Sequence, residues 1–128
     1  MKRIQYLING LTAVAAIGLA SNIAIAQSSA PSQQLRCDTG PVTEIYGKTS
    51  WLVYSCSDDR SIVVLAAPGN PATPFYFIVH PSAQGYQIEG EGTGNGAITD
   101  AAVADLKTLN ERDIVKLIEL TKQPKRSD

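Results

Sequence analysis

The chain has few of the residues on which catalytic and metal-binding chemistry most often rests. Its 128 residues include one histidine, two cysteines, one tryptophan and one methionine. With His80 as the single histidine, a multi-histidine metal centre is excluded, and any catalytic group would have to draw its other members from acids. Positive charge is not in surplus either: 11 Lys+Arg stand against 12 Asp+Glu, for a formal net charge of -1. The counterion release that drives nucleic-acid binding then has little to act on, and nucleic acid is excluded as a partner. Asp58 and Asp59 lack the further, regularly spaced oxygen ligands of a calcium loop. No metal and no cofactor is expected, and no internal repeat is visible.

What is present is clearest at the start. Met1-Lys2-Arg3 is a short cationic segment, Ile4 to Ala20 is mostly apolar, and Ala24-Ile25-Ala26 places small residues before Gln27. That order marks residues 1–26 as a secretory signal peptide cleaved between Ala26 and Gln27. A retained helix from Ile4 to Ala26 could also reach across a bilayer core of about 30 Å, but Asn9, Gly10, Ser21 and Asn22 dilute it. No cysteine lies near the cut, which argues against a lipid anchor. Cleavage would remove Lys2 and Arg3 and no acid, moving the formal net charge from -1 to -3. The expected protein is periplasmic or secreted, touching the membrane only through its signal peptide during export.

Export changes the reading of the cysteines. Cys37 and Cys56 are not spaced as Cys-x-x-Cys, and an oxidising compartment favours a structural disulfide between them over a redox or metal pair. Such a bond would close a loop of about 20 residues and contribute on the order of 3 kcal/mol.

After a polar, flexible leader at 27–35, β-branched and aromatic runs alternate with turn formers: Val42 to Tyr46, Trp51 to Cys56, Ser61 to Ala67, Phe75 to His80 and Tyr86 to Glu91. The second and third runs are expected to form the central hairpin. Pro68 to Pro74 holds three prolines and must be a loop. In the fourth run, period-two alternation puts Phe75, Phe77 and Val79 on one face and Tyr76, Ile78 and His80 on the other, so both faces carry large apolar groups. One face would be covered by helices and the other by something else, such as a partner.

Beyond the glycine-rich stretch Gly90 to Gly96 the period becomes helical. Thr99 or Asp100 can cap a helix carrying Ala102, Val103, Leu106 and Leu109, and Asn110 with Asp113 can cap a second one carrying Ile114, Leu117, Ile118 and Thr121. The fold class is therefore α+β: an antiparallel meander of about four to five strands followed by two short C-terminal helices packed on one face. Residues 36–122 form the single domain and 123–128 a disordered tail.

Five groups are candidates for function. Gly92 to Ala97 satisfies G-x-G-x-x-G/A between a strand and a helix, but Glu89, Glu91 and Asp100 put negative charge where a pyrophosphate would lie, and helix follows helix. A linker or an exposed recognition loop is the better reading. His80, at a strand end, would serve a small hydrolytic enzyme only if folding brought an acid and a nucleophile to it. Asp58 and Asp59 read as turn residues with Arg60 as a partner, while Glu89 and Glu91, two apart on a strand, share one face and form an acidic patch with Asp100. Trp51 is a possible partner anchor. Asp58, Asp59, Glu89, Glu91 and Trp51 together make up the expected contact surface.

The run Tyr54-Ser55-Cys56-Ser57-Asp58-Asp59 leading into Ile62-Val63-Val64-Leu65 resembles the cysteine-containing hairpin of periplasmic lysozyme inhibitors. That resemblance implies inhibition of a hydrolase, and lysozyme, being basic, would suit an acidic loop. The broader expectation is a non-enzymatic exported binding or interaction protein, engaging another protein or an envelope component.

Overall fold

The computed structural model describes residues 34–125; the expected signal peptide and cleavage site and most of the expected leader lie outside the described residues, as do residues 126–128 of the expected tail. Five strands come first: β1 (Thr39–Tyr46), β2 (Thr49–Ser55), β3 (Ile62–Ala66), β4 (Phe75–Ser82) and β5 (Gly85–Gly92). Two helices follow, α1 (Gly96–Leu106) and α2 (Glu111–Thr121). The sheet is an antiparallel meander in the order β1-β2-β3-β4-β5, so β3 lies at its centre, between β2 and β4. The expected α+β architecture holds. Each hairpin can form from neighbouring chain, which keeps loop-closure entropy low.

The disulfide forms between Cys37 and Cys56, 19 residues apart. It clamps the open end of the β1–β2 hairpin, next to the Thr39–Ser55 pair. At the closed end, Gly47 and Lys48 both take positive φ, 58° and 66°, which gives a tight two-residue turn matched to strand twist. Helix α1 lies directly on that turn. A Cβ at Gly47 would stand 2.6 Å from the Ala102 nitrogen, and the Gly47 N–H donates to Asp105 Oδ2 at 2.6 Å.

Strand β4 runs past His80 through Pro81. Its pairing with β3 ends at Ile62–Val79 while pairing with β5 continues, so Pro81 has a neighbouring strand on one side only, where a proline is tolerated. Both helices pack on one face of the sheet. The core between them unites Trp51, Val53, Ile62, Val64, Phe77 and Val79 with Ala102, Leu106, Ile114 and Ile118.

Helix α2 is capped as its sequence implies: Asp113 N–H donates to Asn110 Oδ1 at 3.0 Å and Asn110 N–H to Asp113 Oδ2 at 2.9 Å. Helix α1 starts earlier than Thr99 or Asp100. Its cap is Asn95, whose Oδ1 accepts from the N–H groups of Ala97 and Ile98. Asn is among the strongest cap residues, and Gly96 and Ala97 offer no side-chain obstacle to an earlier start. Among the described residues no helix is long and apolar enough to cross a membrane.

Candidate functional site

Strand alternation sorts the expected contact residues onto different sides of the sheet. Trp51 shares its parity with Val53 and Ser55, and all three are buried under the helices. Expected at a contact surface, Trp51 is instead fully enclosed. Its ring stacks obliquely on Phe77 with centroids 5.4 Å apart, and its indole N–H donates to Tyr46 O at 3.0 Å. A large amphipathic ring with a satisfied N–H stabilises a core as well as an interface.

The other parity faces away from the helices. It carries Leu52 and Tyr54 on β2, Val63 and Leu65 on β3, and Tyr76 and Ile78 on β4, with Ile45 at the β1 edge. Register brings them side by side: Leu52 opposes Leu65, which opposes Tyr76, and Tyr54 opposes Val63, which opposes Ile78. Leu65 is 37% exposed and Ile45 60%. Three adjacent strands thus present an apolar band that neither α1 nor α2, the two helices among the described residues, covers.

The band is bounded on β5 by acid. Glu91 lies opposite Tyr76 and Glu89 opposite Ile78, so the two carboxylates share a face as their spacing implies. Each is held by a neighbour. The Tyr76 hydroxyl donates to Glu91 Oε2 at 2.6 Å, and that bond is the leading cause of a raised Tyr76 pKa. Glu89 Oε1 receives Gln87 Nε2 at 3.2 Å and lies 3.4 Å from His80 Nε2. Asp100 does not join them; it lies on α1, which packs on the opposite face of the sheet.

The neighbour folding brings to His80 is thus the acid Glu89. Ser82 is occupied elsewhere, its hydroxyl lying 3.4 Å from Gly85 O and accepting Gln84 N–H within the β4–β5 turn.

Asp58 and Asp59 separate. Asp58 caps the β2–β3 turn, accepting Arg60 N–H, Ser61 N–H and the Ser61 hydroxyl at 3.0, 2.9 and 2.6 Å. Burial pushes its carboxyl upward, but these hydrogen bonds together outweigh that and hold its pKa below the ordinary value. Asp59, at φ 55°, pairs with Lys122 Nζ at 2.9 Å. Lys122, just past α2, takes the place expected for Arg60, because the helix brings its C-terminus over the turn.

The glycine stretch is built into the fold. Gly92 closes β5 opposite Phe75, and Thr93 N–H donates to Pro74 O at 3.1 Å. At Gly94 a Cβ would land on Ala72 O, so the residue is small because the proline loop crosses it. Asn95 then fills the first N–H groups of α1, where a dinucleotide loop would bind phosphate. Among the described residues no group of three or more His, Cys, Asp or Glu side chains is placed to hold a metal ion. The acids and the two-faced fourth strand are legible in the sequence; the band becomes so only when the same parity is applied to β2 and β3.

No known protein family, no curated protein and no solved structure matches the chain.

Proposed function

We propose that the protein is an exported, non-enzymatic binding module that takes a partner protein on the open face of its sheet. The observation that carries this reading is the apolar band of Leu52, Tyr54, Val63, Leu65, Tyr76 and Ile78 on the side away from both helices. A contiguous apolar surface bounded by polar residues is a common mark of a protein-binding site. The Glu89 and Glu91 carboxylates along one border fit a partner whose apolar contact is flanked by Lys or Arg. The hydrolase-inhibitor reading falls within this one, since Tyr54, Val63 and Leu65 of that hairpin all face the open side. Export is supported by the signal-peptide pattern of residues 1–26 and by the disulfide. The pairing of His80 with Glu89, with Ser82 engaged in a turn, favours binding over hydrolysis.

A photo-crosslinking side chain placed at Leu65 should capture a discrete partner in the producing cell, whereas one at Val115, exposed at 49% on α2, should not. The adduct should disappear on Ile78→Lys, and the isolated protein should begin at Gln27. Equal adducts from both positions, or an adduct that survives Ile78→Lys, would refute the docking face.

A further inference from the structure

On the helix side of β1, a hollow of about 240 Å³ opens between that strand and α2. Leu109, Leu117 and Leu120 give it an apolar wall, and Glu44, Tyr46 and Asp113 supply oxygen. Tyr46 is 93% buried, from an exposure of 7%. Its hydroxyl makes no hydrogen bond among the described residues, yet no sealed polar side-chain atom there lacks a partner. The hydroxyl therefore opens onto the hollow. Burial first, and then the Glu44 and Asp113 carboxylates, push its pKa up, so it remains a neutral phenol between two acids. Asp113 spends Oδ2 on the cap of α2, which leaves Oδ1 available.

We infer that this hollow is a binding site for a small primary ammonium on an apolar stem. An ammonium has three N–H donors; the Tyr46 hydroxyl oxygen, the Glu44 carboxylate and Asp113 Oδ1 are three acceptors around one space. The leucine wall takes the hydrocarbon, whose transfer from water is favourable. Lys116 stands exposed at the rim and opposes the bound charge, so it limits affinity. The hollow lies on the opposite side of the sheet from the docking face, and either site can fail without the other.

Amide chemical-shift titration of the full protein with isopentylammonium tests the assignment, with isopentyl alcohol as the neutral match. The ammonium should produce saturable shifts centred on Tyr46, Asp113 and Leu117, and bind about tenfold or more tightly than the alcohol, as expected for hydrogen bonds to charged groups. Tyr46→Phe and Glu44→Gln should each weaken the ammonium by about tenfold while leaving the alcohol unchanged. Lys116→Gln should tighten it. Equal binding of the two probes, shifts centred on Glu89 and Glu91, or no saturable shift would overturn the site. If Tyr46→Phe disturbs folding, Glu44→Gln decides: unchanged ammonium affinity there also overturns it.

Discussion

Two hydroxyls join α2 to the sheet. Ser55 and Thr121 are 1% and 5% exposed, their oxygens are 2.6 Å apart, and Thr121 also donates to Ile118 O. Thr121→Val keeps the shape but strands the Ser55 hydroxyl away from water, which costs about 1–3 kcal/mol. Ser55→Ala leaves Thr121 its carbonyl partner and should cost less. Urea unfolding of both variants and their combination checks the pair: the double variant should lose less than the two single losses added together. Thr121 is legible in the sequence as a helix residue at i+7 from Ile114. Its partner is not, because the two lie 66 residues apart and no local pattern fixes which strand residue the helix end meets. Trp51 shows the converse. Its frequency at interfaces suggests a surface role, whereas its parity with Val53, also in the sequence, places it in the core.

The turns are where single side chains decide the course of an element. At the β2–β3 turn Asp58 accepts three hydrogen bonds as a carboxylate, and its folded pKa lies below the ordinary value. Protons then bind the unfolded chain more readily, so the contribution of Asp58 to stability is full above the unfolded value near 3.9 and is lost as pH falls through the lower, folded value. Comparison of urea midpoints at pH 7 and pH 3 should show a smaller acid loss in Asp58→Ala than in the natural protein. Equal losses would remove Asp58 from the acid response. Strand positions and the capping box of α2 were legible because alternation and cap chemistry are local. The start of α1 was not: Asn95 sits inside a glycine run that reads as linker, and its role depends on Gly94 passing against Ala72, a contact made by the proline loop more than twenty residues earlier.

At the scale of the whole molecule, the helices divide one sheet into two surfaces of similar composition, one enclosed and one open. Ile62 and Ile78 lie on neighbouring strands, but Ile62 faces the helices and is 0% exposed, while Ile78 lies in the band, half-buried by its neighbours. If the core alone required both, truncating either would be comparably destabilising. Ile62→Ala removes packed volume from the enclosed side, at about 2–5 kcal/mol. Ile78→Ala removes side-chain atoms from a surface that solvent can reach, so the gap left behind can fill with water and the loss should fall below that range. Binding should reverse the order, since Ile78 contributes to a partner contact only when the band is covered, and truncation at the centre of an interface commonly costs more than 1 kcal/mol. Thermal or urea unfolding of the isolated protein, set beside capture by a crosslinker at Leu65, separates the two duties: Ile62→Ala should lower stability and keep the adduct in whatever fraction stays folded, and Ile78→Ala should keep stability and lose the adduct. Equal destabilisation with an unchanged adduct would mean that the open face is ordinary sheet surface and that the partner is held elsewhere.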